Sequence, residues 1–165
     1  MDRGDGRHGA ADLRTPLQRE TPARIGYRKL VSVDAGASVR QAVEIMQRHE
    51  VGCVVVLDGS RLAGIFTERS LIVRVLGVDL PLDTPVAEVM TANPIVAAEN
   101  EPVHVVLARM HIGAFRHIPV VNDAGEPVGT MSVKRAVHFL ADHLPEAIYN
   151  LADDPDRVPE TPEGG

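Results

Sequence analysis

The sequence predicts an α/β (α+β) fold: a tandem pair of β-α-β-β-α units, packed by pseudo-two-fold symmetry with their sheets facing. A repeated register carries that prediction. Val39, Met46 and Val56 recur as Val103, Met110 and Val120, each 64 residues later in a chain of 165. Gly64 recurs as Gly129 at a spacing of 65. The one added residue falls at the turn Asp123-Ala124-Gly125, where an insertion costs least. Within each copy, apolar runs of strand length alternate with apolar residues at helical spacing. Two copies are too few for a solenoid, which needs about three or more repeats, so a unit that closes on its twin is expected.

The elements follow in order. Leu30-Val31-Ser32-Val33 is a short strand. Ser38 is an N-cap ahead of Val39, Ala42, Val43 and Met46 at helical spacing, and Gly52 is expected to end that helix. Val54–Leu57 and Leu62–Phe66 flank the turn Asp58-Gly59 as a hairpin. Thr67 caps a helix through Val75, with Gly77 as its stop. In the second copy Glu101–Ile112 is a helix with Pro102 at its start and Gly113 after its end. Ile118–Val121 and Val128–Met131 form the hairpin, and Ser132 caps a helix through Leu140. Thr15-Pro16-Leu17 and Thr84-Pro85-Val86 each open a short helix ahead of their copy. The expected division is residues 1–14 disordered, 15–80 the first unit, 81–145 the second and 146–165 an acidic, Pro-rich tail. A three-stranded sheet with two helices cannot cover both its apolar faces alone, so the units should meet sheet to sheet and leave clefts along the seam.

Composition narrows the function. Hydrophobic residues make up 44% of the chain but aromatics only 3%, so the core must be built from aliphatic residues, which weakens any reading that needs stacking platforms for single-stranded nucleic acid. The net charge of -6 is concentrated in Glu146, Asp153, Asp154, Asp156, Glu160 and Glu163, against Arg157, and the rest is nearly neutral. No basic stripe fits DNA, so no nucleic-acid partner is expected. Cys53 is the only cysteine, which forbids an intrachain disulfide. No long apolar run or secretory signal is visible, and the expectation is a cytoplasmic protein with no membrane partner. His104 and His111 share a helix face, but no acid or cysteine completes a set, so no metal is expected. Nor does any nucleophile stand beside a base, so no enzyme is expected.

Four segments carry a family resemblance: Gly64-Ile65-Phe66-Thr67-Glu68-Arg69-Ser70, Met90-Thr91, Arg116-His117-Ile118-Pro119-Val120-Val121 and Val128-Gly129-Thr130-Met131-Ser132. Together, in two matching registers, they resemble the cystathionine-β-synthase (CBS) domain family as a tandem pair, the Bateman module, over about residues 15 to 143. The resemblance implies a stand-alone sensor without catalytic machinery or required cofactor. Such a module would bind an adenosine-containing ligand (AMP, ADP, ATP, S-adenosylmethionine or an NAD-type molecule) in an inter-domain cleft. It would be a homodimer signalling to a protein partner of unknown identity. The alternative is a structural or interaction module that has lost its nucleotide.

In the family, the ribose is held by a Thr or Ser opening the last helix and an Asp three residues later. Here Thr67 is followed by Ser70, and Ser132 by Arg135. Serine lacks the carboxylate's charge, and loss of a charge-assisted bond costs about 1.5–3 kcal/mol. Arg135 accepts nothing; it would either pair with a phosphate or fill its cleft. The first copy is therefore the better ribose site. Arg116 and His117, with Arg69, Lys134 and Arg135, would supply local positive charge for an anionic ligand. Val31, Ile95 and Pro119 complete the candidate contacts that the resemblance implies.

Overall fold

The computed structural model describes residues 18–143. The expectations for residues 1–14, for the Thr15-Pro16-Leu17 helix and for the acidic tail lie outside these described residues. Helix α1 (Pro22–Ile25) leads into strand β1 (Arg28–Lys29) and strand β2 (Ser32–Asp34). Helix α2 (Val39–His49), the hairpin β3 (Cys53–Asp58) and β4 (Arg61–Thr67), and helix α3 (Glu68–Arg74) complete the first copy. A 3-10 turn (Leu76–Val78), helix α4 (Val86–Val89) and strands β5 (Thr91–Ala92) and β6 (Ala97–Ala98) follow. Helix α5 (Val103–Ile112), strands β7 (His117–Val121) and β8 (Pro127–Ser132), and helix α6 (Val133–His143) end the fold.

Side-chain caps open α2, α3 and α6. Ser38 Oγ accepts from the Gln41 amide at 3.2 Å while Gln41 Oε1 accepts from the Ser38 amide at 2.9 Å, a reciprocal capping box. At the other end of α2 the chain leaves through Glu50, at φ 52, and not at Gly52 as expected. Ala114 turns the chain the same way after α5, also at φ 52, so the repeat holds in backbone where the residue types differ. Pro85 rather than Thr84 occupies the cap of α4.

Each sheet has four strands, in the orders β2-β3-β4-β5 and β1-β8-β7-β6, one more than the sequence suggested. The extra strand comes from the other half. Strand β5 runs antiparallel to β4, with Gly64 opposite Ala92, and β1 runs antiparallel to β8, with Gly129 opposite Lys29. The short helices cross with them: Val86 and Val89 join the first core with Val39, Val54, Val56 and Phe66, while Ile25 joins the second with Val103, Val106, Met110 and Ile118. Both cores are mainly aliphatic, with Phe66 fully buried in the first. The sheets face each other across the seam, where the Cys53 thiol of β3 meets the Thr130 side chain of β8.

The matched glycines make this exchange possible. A Cβ on Gly129 would lie 2.2 Å from the Arg28 carbonyl oxygen and 2.5 Å from the Tyr27 ring; one on Gly64 would lie 2.9 Å from the Thr91 carbonyl oxygen. Only a bare Cα lets the incoming strand approach. Gly129→Val should therefore destabilise the fold by about 1–3 kcal/mol through overpacking, measured by urea unfolding. A change under about 0.5 kcal/mol, within the range of neutral surface substitutions, would contradict the packing described.

Candidate functional site

Two clefts open along the seam. The first encloses about 780 Å³ and the second about 700 Å³, both within the range of small-molecule sites. The first lies against the N-terminus of α3, the end of α5 and the strand-poor stretch between β5 and β6. Apolar side chains from both halves line it, Ile65 and Val73 from one and Ile95 and Phe115 from the other. Thr67, Glu68, Arg69, Ser70, Arg116 and His117 are among its polar groups. Ile95 is 51% exposed, an isoleucine left open in the cleft wall.

The structure divides the candidate residues. Thr67, Arg69, Ser70, Ile95, Arg116 and His117 line the first cleft. Ser132, Lys134 and Arg135 line the second, which His117 also borders. The single basic cluster expected from sequence is therefore split between two sites. Val31 and Pro119 line neither. Val31 packs on the first core with its carbonyl accepting from the Val55 amide at 3.0 Å, and Tyr27 and Arg28 take the corresponding wall of the second cleft. Pro119 is buried within β7 opposite Thr130, inside the sheet.

Ser70 is only 6% exposed, and its hydroxyl is engaged locally. Its Oγ lies 3.1 Å from Thr67 Oγ1 and accepts from the Thr67 amide at 3.4 Å, while the Ser70 amide donates to Thr67 Oγ1 at 3.1 Å. The pair closes a capping box and places two hydroxyls on the cleft wall. Arg135, at the matching position, has a structural partner: its Nε donates to the Ile25 carbonyl at 3.1 Å. That carbonyl ends α1, where a cation also satisfies the helix dipole. Arg74 does the same for α4, donating to the Val89 carbonyl at 3.1 Å. Each exchanged helix is thus held by an arginine from the last helix of the other copy. Arg28 further crosses the second cleft to donate to the His49 carbonyl at 3.3 Å. Its counterpart beside the first cleft is Ala92, which can make no such strap.

Three residues, Gly52, Glu68 and His117, border both clefts and form the partition between them. A Cβ on Gly52 would meet Glu68 Oε2 at 3.3 Å and His117 Cε1 at 3.5 Å, so carboxylate and imidazole converge over this residue. Sequence reasoning gave Glu68 only a helix-dipole role. Its place immediately after the cap Thr67, one residue from Arg69, was the available signal. Burial pushes the Cys53 thiol up to about 11, so it is protonated at neutral pH and suits a core position rather than a nucleophile. Among the described residues no group of three or more His, Cys, Asp or Glu gathers to hold a metal.

The CBS domain family matches residues 24–77 and 86–142, two consecutive domains over most of the described chain. This chain belongs to that family. A CBS domain-containing protein of Arabidopsis thaliana is 32% identical over 111 residues, covering 67% of this chain but 20% of the plant protein. The chain thus spans about a fifth of that relative's length. A conserved protein of known structure from Pyrococcus horikoshii aligns with a TM-score of 0.68 at 31% identity, covering 73% of this chain and 92% of that one. A CBS domain protein from Pyrobaculum aerophilum, solved in complex with AMP, aligns with a TM-score of 0.67 at 26% identity, covering 81% of this chain and 98% of that one. Among the described residues of this CBS pair no helix is long and apolar enough to cross a membrane.

His117 gives the site a pH signature. Burial lowers its pKa from 6.5, partly offset by Glu68, which raises it, and reinforced by Arg116. The unfolded chain then binds the proton more readily, so this group contributes stability that is lost as pH falls through 6.5 toward the folded value. His117→Gln should show a smaller loss of Tm than the wild type between about pH 7.5 and about pH 5.5. A loss equal to or larger than the wild type's would contradict a half-buried imidazole held neutral.

Proposed function

We propose that this CBS pair is a regulatory module that binds an adenosine-containing ligand in its first cleft and signals to a protein partner by a conformational change, without catalysing a reaction. The observation that carries this reading is the composition of that cleft. Apolar side chains from both halves offer faces for a base, two hydroxyls at the start of α3 offer partners for a ribose, and Arg69 and Arg116 offer donors for a phosphate. The likeness to a CBS protein solved with AMP supports the same ligand class. Because the ligand touches both halves, its binding energy can favour one angle between them over another.

A homodimer is part of the proposal. Ile72 on α3 and Val137 on α6 occupy matching positions, and they are 60% and 53% exposed. Leu76 and Val78 extend this apolar face at 59% and 61%. Large apolar side chains left exposed at matching positions of both copies suit an association site. A second reading, a CBS scaffold without ligand, is favoured by Ser70 and Arg135, where the family's ribose carboxylate would stand. In that case the acidic residues 146–165 are the proposed partner-binding element.

Isothermal titration of the full chain against AMP, ATP, S-adenosylmethionine and NADH separates the two readings. Binding by at least one is expected, weakened about tenfold or more by Arg116→Ala, which removes a charged donor. Ser70→Asp should tighten it by up to about tenfold by restoring a ribose carboxylate. Silence across the four would favour the scaffold. In the same preparations, Ile72→Glu should shift the chain from dimer to monomer by light scattering; an unchanged mass would place the interface elsewhere.

A further inference from the structure

We infer that Phe115 is the specificity-determining residue of the first cleft, an aromatic contact for the planar base of a nucleoside, and that Gly113 is the positioning residue that seats its ring. This rests on the reading of the first cleft as a nucleoside site and assigns recognition of the base within it.

The two copies end their first long helices alike. In the first copy the Glu50 amide donates to the Gln47 carbonyl at 3.2 Å and the Val51 amide to the Met46 carbonyl at 3.0 Å. In the second the Ala114 amide donates to the His111 carbonyl at 3.2 Å and the Phe115 amide to the Met110 carbonyl at 3.1 Å. Glu50 and Ala114 are both left-handed at φ 52, so each copy closes the same helix-ending motif, whose next residue packs an apolar side chain back on the helix. Val51 packs on the first core in this way and Phe115 on the second. Valine fills that role, so the cap does not require a ring. The ring has another face: Phe115 is half-buried and lines the first cleft, and among the described residues no other Phe or Tyr does so. The residue beneath the ring differs in step with it. A Cβ on Gly113 would lie 2.1 Å from Phe115 Cε1 and 2.5 Å from Cδ1. Gly113 sits at φ -82 and ψ -3, a right-handed conformation that does not require glycine, so its missing side chain makes room for the ring and not for the backbone. The matching position in the first copy carries His49, beside the smaller Val51. A phenyl ring seated like this meets a planar base offset or edge-to-face, with a preference beyond the area it buries. Its neighbours Ile65, Val73 and Ile95 supply apolar area without that preference.

Calorimetry and fluorescence on the full chain test this, with AMP or S-adenosylmethionine as the probe, whichever the wild type binds more tightly; both carry the same base. Phe115→Val, which installs the residue that closes the same motif in the first copy, should weaken the probe about tenfold, the order expected for loss of one base–aromatic contact. Gly113→Ala should weaken it about fivefold in the wild-type chain but less than about twofold in the Phe115→Val chain, because the glycine acts through the ring. The chain has no tryptophan, so Phe115→Trp supplies a single indole at the site. Its emission should change saturably as the probe is added, with the same Kd that calorimetry gives for that variant. Unchanged affinity in Phe115→Val, or an indole that does not respond to bound probe, would overturn the assignment while leaving the nucleoside site standing. An equal effect of Gly113→Ala in both backgrounds would overturn the role given to the glycine. Binding of neither probe by the wild type would overturn the nucleoside site itself.

Discussion

Neither half of this chain can close its own sheet, and the clefts exist because each half closes the other's. Strand β5 completes the sheet of the first copy and β1 that of the second, each drawn in against a glycine that leaves room for its backbone. The helices α4 and α1 travel with those strands, bury Val86, Val89 and Ile25 in the opposite core, and are tethered there by Arg74 and Arg135. Exchange of this kind welds two small units, each too thin to bury enough apolar surface alone, into one body. It also fixes where the N-termini of α3 and α6 meet the opposite half, which is where the hollows lie.

Within that near-symmetric frame the two hollows differ in chemistry. In or beside the first, matched positions carry Ser70, Ala92, Ala114 and Phe115, which are small, apolar or hydroxylic. In the second they carry Arg135, Arg28, Glu50 and Val51. Two of these, Arg135 and Arg28, spend donors on the carbonyls of Ile25 and His49. One cleft thus combines apolar side chains with hydroxyls and free donors, and the other is braced by its own guanidinium groups. The duplication supplied two matching recesses, and divergence at few positions left them chemically distinct: one lined by hydroxyls and apolar side chains, the other braced by its arginines.

Much of this was legible in the residues. The register of 64 placed both hairpins, both capped helices and the matched glycines, because apolar periodicity and capping are local properties that each copy states independently. What escaped was non-local. Arg28–Lys29 is a two-residue strand with both side chains exposed, and no propensity or alternation marks it as one. The exit from α2 at Glu50 rather than Gly52 reflects a left-handed residue whose strain the surroundings absorb, where sequence reasoning awaits a glycine. Splitting of the basic residues between two clefts, and the withdrawal of Val31 and Pro119 from both, depend on how the halves are set against each other. Glu68 was visible as a helix-dipole residue; its second face, over Gly52 beside His117, is a product of the seam.

The most direct measurement is a crystal structure of the full chain grown with AMP. The account predicts one nucleotide per chain, its base between Ile95 and the first-half wall of the first cleft, its ribose at Thr67 and Ser70, and the second cleft still crossed by Arg28 and Arg135. A nucleotide in the second cleft with those arginines displaced, or a first cleft that closes without one, would contradict it.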